Sequence, residues 1–194
     1  MTRRPEQSGF VAGHSTVDAI LALRLLSNLY REFDCPLNVA FLDIKAAFDS
    51  VDRQALWKVL RSTGVPDILL DLTVALHTVA LHENTGVRLG QNLSDRLQTT
   101  SGMRQGCVLA PALFSIAIDW ILWHMSVKPE IAVGHDHIRD LVYADDTALF
   151  VNSASEAVAC LDSFKETAAE LGLRVSWPKT KLQNLGAGTQ YQPS

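Results

Sequence analysis

The stretch from residue 141 to 150, Leu-Val-Tyr-Ala-Asp-Asp-Thr-Ala-Leu-Phe, places two adjacent acids between apolar flanks. Each flank is typical of a buried strand, and a tight turn between them would make a β-hairpin. Asp tolerates the unusual backbone angles of such a turn, so we expect Asp145 and Asp146 together at its tip. Close carboxylates repel each other, and a divalent cation such as Mg²⁺ would compensate their charge. The alternative is a solvated turn that happens to carry two acids.

A third acid follows a second apolar strand. Residues 37–42, Leu-Asn-Val-Ala-Phe-Leu, indicate a buried strand, and Asp43 comes directly after it. Taken alone, Asp43 could also be a helix cap or a solvated strand end. If this strand and the hairpin are neighbours in one sheet, three carboxylates can converge. A two-metal phosphoryl-transfer site requires such a set, with its metals about 3.5–4 Å apart.

Composition limits the class of protein. The 194 residues suffice for one domain with a sizeable core, with or without a small appendage. The net charge of −4 argues against a simple nucleic-acid-binding protein, but it allows an enzyme with an acidic centre and local basic surfaces. No apolar run approaches the roughly 20 residues of a membrane span, and the polar N-terminus is not followed by a signal-peptide core. We therefore expect an intracellular protein.

Cysteine and histidine residues give little sign of a metal or disulfide framework. Cys35, Cys107 and Cys160 are odd in number and widely spaced, which fits a reducing compartment. His135-Asp136-His137 could supply two metal ligands, but no further His or Cys lies nearby in the sequence. A polar loop is the default interpretation of this segment.

Apolar periodicity and capping residues predict five helices. Asp52 can cap the second, and Ser153 with Glu156 makes a capping-box pattern before the last. The helix that starts at Pro111 is apolar nearly all round, so we expect it to be central, with its Trp residues in the core. In the last helix the predicted buried stripe is Val158, Leu161, Phe164, Ala168 and Leu171. The predicted helices span residues 16–32, 53–63, 67–78, 111–123 and 154–171.

A small β region is predicted between the first acid and a glycine loop. Its turn is residues 83–86, with candidate strands at 79–82, 87–89 and 97–100. A loop reaching Gly134 is expected before the acidic hairpin, and short strands are expected at 173–176 and 182–185.

The glycine loop itself is residues 101–107, Ser-Gly-Met-Arg-Gln-Gly-Cys. Glycine allows a backbone to approach a ligand closely, and Arg104 and Gln105 add a cation and an amide. Such a loop can cradle a phosphate or a sugar.

Five blocks in this order resemble the reverse transcriptase domain of non-LTR (LINE-type) retrotransposons, over nearly the whole chain. The signature block is Tyr143-Ala144-Asp145-Asp146, which matches the third palm motif. The other blocks are residues 7–10 with 15–18 before the palm, 41–49 as the first palm motif, 102–114 as the second, and 172–180 as the fourth. The fold that this resemblance implies is α+β, a right-hand polymerase palm whose antiparallel sheet is backed by helices, with partial fingers and no thumb.

The resemblance also implies roles for individual residues. Asp43, Asp145 and Asp146 would hold two Mg²⁺ ions, with Mn²⁺ as an alternative, and Asp43 and Asp145 would be the stronger ligands. Lys179 is a candidate to protonate the leaving pyrophosphate, although it could also be a solvated lysine beside Lys181. The residues expected to bind nucleotide, template or primer are Ile44, Lys45, Ala46, Ala47, Phe48, Arg104, Gln105, Gly106 and Tyr143.

Among these, the backbone of residues 44–47 would line the triphosphate, and the Phe48 ring would exclude a ribose 2′-OH. Gln105 and Gly106 would meet the incoming nucleotide and the template, and Tyr143 would pack near the primer end. The implied partners are an RNA template, a DNA primer and dNTPs, without a membrane. The implied location is the ribonucleoprotein of a mobile element, in the nucleus or the cytoplasm.

The sequence also departs from the family pattern. Ser176 stands where many relatives carry Asn, which puts the carry-over to Lys179 in doubt. The resemblance begins after the first fingers blocks and ends before the thumb, so we expect those segments in a longer polyprotein. Within one partial domain, residues 1–52 are assigned to the end of the fingers and the first palm motif, 53–104 to a fingers-like insertion, and 105–194 to the palm.

Three functions fit these observations. The leading one is a polymerase core that copies RNA into DNA. An RNA-templated RNA polymerase is the second, and Phe48 argues against it because ribonucleotide users need room for the 2′-OH. The third is a decayed or domesticated fragment that acts at most as a binding module.

Overall fold

The computed structural model describes residues 9, 13–82, 88–89, 92–93, 101–103 and 107–188, with the backbone alone described at 78–82, 88–89 and 92–93. Six helices and eight strands lie in these ranges. The helices are α1 (Thr16–Glu32), α2 (Ala47–Ser50), α3 (Arg53–Ser62), α4 (Asp67–His82), α5 (Ala110–His124) and α6 (Ala154–Glu170). The strands are β1 (Asn38–Leu42), β2 (Arg88–Leu89), β3 (Asn92–Leu93), β4 (Ile131–Val133), β5 (Asp136–Ile138), β6 (Asp140–Tyr143), β7 (Asp146–Val151) and β8 (Lys181–Asn184).

The central sheet has four strands in the order β6-β7-β1-β8, and each neighbouring pair is antiparallel. Strands β1 and β7 are interior, which explains their almost wholly apolar sequences. Both β2–β3 and β4–β5 form separate two-stranded sheets.

Two buried clusters cover the two faces of this sheet, because successive side chains of a strand point to opposite faces. Val39, Ala148 and Phe150 belong to a cluster with Leu26 of α1. Their neighbours in β1 and β7 belong to a larger cluster with α3, α5 and α6, which includes Ala40, Leu42, Leu149, Val151, Leu56, Phe114, Ile118, Phe164 and Ala168. The α+β architecture that the family resemblance implies is confirmed.

Helices α3 and α6 begin at the N-cap residues predicted for them. The Asp52 carboxylate accepts a hydrogen bond from the Ala55 amide at 3.0 Å, at the start of α3. The Ser153 hydroxyl likewise accepts from the Glu156 amide at 3.1 Å. The Glu156 carboxylate, however, accepts from the Asn152 amide at 2.8 Å, one residue before the cap.

The small β region differs from its prediction. Residues 79–82 are helical, because α4 runs to His82, so the predicted strand there is wrong. No Gly or Pro interrupts this segment, and adding residues to an existing helix is easier than starting a strand pair. Strand β2 pairs with β3 instead. The predicted turn at 83–86 and strand at 97–100 lie outside the described residues.

Two further connections were predicted incorrectly. The expected loop through Gly134 is the β4–β5 hairpin, in which Val133 pairs with Asp136 around a turn where Gly134 has φ 63°. His137 lies on β5, and its Nδ1 is 2.7 Å from a Glu130 carboxylate oxygen, so this segment is more than a polar loop. The candidate strand at 173–176 is reduced to one bridge between Val175 and Ile44.

The burial of some apolar side chains also differs. Val158 of α6 is 60% exposed, and the helix buries Ala157, Cys160 and Thr167 beside the predicted Phe164 and Ala168. Helix α5 is central as predicted, yet Trp123 near its C-terminal end is 54% exposed and Trp120 is half-buried. The prediction that both Trp side chains lie in the core is therefore wrong for Trp123.

Candidate active site

The strand register brings the three acids to one end of the central sheet. In the β1–β7 pair Leu42 is opposite Thr147, so Asp43, directly after β1, and Asp146, the first residue of β7, come next at the same end of the sheet. In the β6–β7 pair Tyr143 is opposite Asp146, and the connecting turn consists of Ala144 and Asp145. The strand carrying Asp43 and the acidic hairpin are thus direct neighbours, as the convergence of three carboxylates requires.

The turn of the acidic hairpin has an unexpected backbone. Ala144, not an aspartate, adopts the left-handed conformation, with φ 59°, and Ala144 is buried. This conformation disfavours residues that have a Cβ atom and persists where surrounding contacts hold it. The expectation that aspartate takes the unusual angles is wrong in this respect. The turn places Asp145 between the two strands and leaves Asp146 as the first residue of β7.

The negative charges of Asp43 and Asp145 act on the neighbouring Asp146. The pKa of Asp146 is raised, first by partial burial and then by the negative charges of Asp145 and Asp43. The Asp43 side chain is 30% exposed, and its Oδ2 atom is buried without a hydrogen-bond donor. The Lys179 ammonium lies 3.4 Å from that oxygen, and its own side chain is 71% exposed. Among the described residues, Lys179 is the cation paired with Asp43, so this end of the sheet holds three carboxylates against that one ammonium.

The donor set fits a hard divalent cation. Carboxylate oxygens are the ligands that Mg²⁺ prefers, and the buried Asp43 Oδ2 has the lone pairs to bind one. The three acids are not in a ligating arrangement, however. Within the described ranges, no three His, Cys, Asp or Glu side chains form a group that could hold a metal ion. The same finding applies to His135 and His137, so the histidine alternative gains no support.

The fourth-motif segment supports Asp43 from the β8 side of the sheet. The Ser176 amide donates to the Asp43 carbonyl at 2.8 Å, and the Asp43 amide donates to the Thr180 hydroxyl at 3.5 Å. Between them, Lys179 lies in a turn in which its amide donates to the Ser176 carbonyl. This turn explains how a lysine distant in sequence reaches Asp43.

Residues 44–48 form a compact segment directly beyond Asp43. The Lys45 amide donates to the Arg174 carbonyl at 2.8 Å, and Ala46 adopts φ 47° before the short helix α2. Ala47 is buried, while Phe48 is half-buried and stacks on Phe114 of α5 with ring centroids 4.6 Å apart. The backbone of this segment is therefore held from two sides.

The start of the glycine loop packs against the same segment. The Met103 amide donates to the Phe48 carbonyl at 2.7 Å, and the Gly102 amide donates to the Val51 carbonyl at 2.8 Å. Gly102 has φ 85°, and a Cβ atom there would lie 2.9 Å from the Asp49 carbonyl oxygen. The predicted contact residues Arg104, Gln105 and Gly106 lie outside the described residues.

Tyr143 lies at the end of β6, half-buried, next to a cavity of about 280 Å³ between α1 and the sheet. Asp146 and Phe41 line the same cavity, together with Ala19, Ile20 and Leu23 of α1. The aromatic side chain predicted to lie near a primer end thus borders an open, largely apolar space beside the acids.

Sequence reasoning missed three residues of this region. Phe114 was expected only as an apolar helix residue at the end of the second motif, and its stack on Phe48 depends on a tertiary contact that spacing does not reveal. Thr180 and Gly9 were noticed only as parts of motifs. Gly9 lies in a segment with little periodicity that predicts a loop, and the available signal of close packing was the glycine itself, because glycine lets another backbone approach closely.

Comparison with known proteins identifies the family. Residues 1–191 match the family model described as reverse transcriptase (RNA-dependent DNA polymerase). The chain belongs to this family. Its resemblance to the reverse transcriptase domains of LINE-type retrotransposons is confirmed by the curated relatives, which include Pol polyproteins of R2 elements.

Two of these relatives are from insects. The Pol polyprotein of the type-1 retrotransposable element R2 of Nasonia vitripennis is 28% identical over 72% of this chain and 13% of its own length. That of the type-2 element R2DM of Drosophila melanogaster is 26% identical over 90% of this chain and 16% of its own length. The reverse transcriptase chain described here therefore spans less than a fifth of either relative.

Solved structures agree in fold. Telomerase of Candida tropicalis, in complex with a fragment of telomeric RNA, superposes with a TM-score of 0.64 at 16% identity. The match covers 94% of this chain and 31% of the telomerase chain. Telomerase of Candida albicans, also with a telomeric RNA fragment, gives 0.59 at 14% identity over 91% of this chain and 31% of its own. The fold is thus the palm-like α+β fold of reverse transcriptases.

In the described ranges no helix is both long and apolar enough to cross a membrane.

Proposed function

We propose that this chain is the catalytic palm of an RNA-directed DNA polymerase. The reaction joins the 3′-oxygen of a DNA primer to the α-phosphorus of a dNTP on an RNA template and releases pyrophosphate. The observation that supports the proposal is the β1–β7 register, which ends at the Leu42–Thr147 pair, so that Asp43 and Asp146 follow at the same end of the sheet, beside the hairpin tip.

Asp43, Asp145 and Asp146 are the side chains that would hold two Mg²⁺ ions, or Mn²⁺ in their place. When bound, such ions lower the pKa of the attacking hydroxyl and stabilise the leaving oxygen. The buried Asp43 Oδ2 without a hydrogen-bond donor and the raised pKa of Asp146 both support this assignment. The Asp43 oxygen is paired with a largely exposed ammonium, and the raised pKa of Asp146 indicates negative charge that a further cation would compensate.

The segment after Asp43 is proposed to bind the incoming nucleotide. The backbone from Ile44 to Ala47 would line the triphosphate, and the edge of the Phe48 ring would clash with a ribose 2′-OH. Support comes from the stack on Phe114, which restricts the ring, and from the bonds that hold this backbone. Tyr143 would pack near the primer end, and Arg104, Gln105 and Gly106 would contact the nucleotide and the template.

Lys179 is proposed to hold the proton that the leaving pyrophosphate accepts. Its ammonium lies near Asp43 and therefore close to where the reaction would occur.

The other domains of the polymerase and its location in the cell are also part of the proposal. Fingers and thumb would come from a longer polyprotein, in the ribonucleoprotein of a mobile element, in the nucleus or the cytoplasm.

Primer extension on an RNA template with Mg²⁺ and dNTPs, run beside Asp145→Asn, tests the proposal. We expect product that disappears in the variant. A folded chain that gives no product alone, and none when joined to the flanking segments of its polyprotein, would instead indicate a non-catalytic remnant. Extension with rNTPs at the same efficiency would favour an RNA polymerase.

A further inference from the structure

Gly9 contacts the tip of the acidic hairpin, although 135 positions separate it from Ala144. Gly9 is buried. A Cβ atom built on it would overlap the Ala144 backbone nitrogen and would lie 2.9 Å from the Ala144 Cα and 3.0 Å from the Tyr143 carbonyl carbon. All three atoms are backbone atoms at the β6–β7 turn, so they cannot move aside as the end of a flexible side chain could.

The requirement for glycine at this position comes from contact and not from backbone conformation. Gly9 is not among the residues with positive φ, whereas Gly13, four positions later, has φ 83° and would place a Cβ atom in open space. Gly9 is therefore required because a side chain would collide with another backbone, whereas Gly13 is required because of its own backbone conformation. This difference supplies a matched control within the same segment.

The contacted residue, Ala144, adopts the left-handed backbone conformation in this turn and directly precedes Asp145. Strand pairing fixes the two ends of this turn, at Tyr143 and Asp146. The Gly9 backbone packs against the turn between those ends. A displacement at Gly9 would therefore pass directly to the peptide that carries Asp145.

We propose that Gly9 is a positioning residue for catalysis: its backbone sets where the hairpin tip, and with it Asp145, lies relative to Asp43. This inference rests on the proposed role of Asp145. It assigns a task to the block at residues 7–10, for which the sequence pattern gave a family resemblance but no function. It also requires no contact between Gly9 and any substrate.

The test compares Gly9→Ala with Gly13→Ala and with a chain lacking residues 1–9. The first readout is amide hydrogen exchange at residues 144–147, which needs no catalytic activity. We expect faster exchange in Gly9→Ala and in the truncated chain, and wild-type exchange at these residues in Gly13→Ala. The truncation removes Gly9 and introduces no collision, so it still tests the inference if the Gly9→Ala chain does not fold.

The second readout is single-nucleotide addition. A misplacement of about 1 Å can cost about 10²-fold in rate, so we expect a loss of that order in kcat for Gly9→Ala, with the dNTP KM within about twofold. Gly13→Ala should keep wild-type kcat. Wild-type exchange at residues 144–147 in both Gly9→Ala and the truncated chain would overturn the inference. If Asp145→Asn retains activity while exchange responds to Gly9, the proposed role of Asp145 fails and the contact of Gly9 with the tip stands.

Discussion

The Phe48 ring stacks on the Phe114 ring, with centroids 4.6 Å apart and an angle of 27° between the planes. Phe114 is fully buried in α5, whereas Phe48 is half-buried and lies five residues after Asp43. The residue proposed to sense the sugar is thus held by a ring that cannot itself reach a substrate. Discrimination between dNTP and rNTP should depend on both side chains.

Phe48→Ala is expected to admit ribonucleotides, because it removes the ring edge that would clash with a 2′-OH. The measurement is the ratio of kcat/KM for dNTP to that for rNTP, which should fall by at least about tenfold while dNTP addition changes less. Phe114→Leu keeps an apolar side chain but removes the stacking partner, so we expect a smaller fall in the same ratio. A ratio unchanged in Phe48→Ala would remove Phe48 from this role.

Asp145→Asn should abolish nucleotide addition, with a loss of at least about 10²-fold, because the amide lacks the charge that a metal ligand supplies. Its side chain lies in a turn and not in either buried cluster, so the melting temperature should stay near that of the wild type. Single-nucleotide addition and thermal unfolding, measured on the same preparations, check both parts. A variant with the wild-type rate would contradict the metal-ligand role.

The acidic hairpin and its surroundings show which features of the structure the sequence could predict and which it could not. The hairpin and the strand before Asp43 were predictable because each is a short apolar run that ends in an acid, a local pattern that burial enforces. The left-handed Ala144 was not predictable, since tertiary contact overrides the local preference of alanine. Residues 79–82 have the composition of a strand but extend an existing helix. Val158 recurs at helical spacing, yet the helix buries a neighbouring stripe that includes Cys160 and Thr167.

Lys179→Gln should slow nucleotide addition with little effect on stability. The ion pair with Asp43 involves a largely exposed ammonium, and such pairs contribute about 0–1 kcal/mol to the free energy of unfolding. Loss of a proton donor typically costs about 10²–10⁴-fold in rate. The measurements are the rate of single-nucleotide addition and the free energy of unfolding, with Lys181→Gln as the control. Equal rates in the two variants would indicate that Lys179 is a solvated lysine.

The raised pKa of Asp146 predicts a pH dependence of stability with a definite sign. Burial and the charges of Asp145 and Asp43 make the folded chain hold this proton more tightly than the unfolded chain does. The contribution of Asp146 to stability is therefore fully present below the ordinary pKa of 3.8 and is lost as pH rises through the folded-state value. At neutral pH the ionised carboxylate destabilises the fold.

Asp146→Asn removes this carboxylate, so it should raise the melting temperature at pH 7 in the absence of divalent cations. The difference from wild type should shrink as pH falls and disappear below the ordinary Asp pKa. Thermal unfolding of both proteins across pH 3–7 measures it, with Asp162→Asn, an exposed acid on α6, as the control. Added Mg²⁺ should raise the melting temperature of wild type more than that of the variant, because the carboxylate is the proposed ligand. A variant less stable than wild type at pH 7 would contradict the destabilising charge.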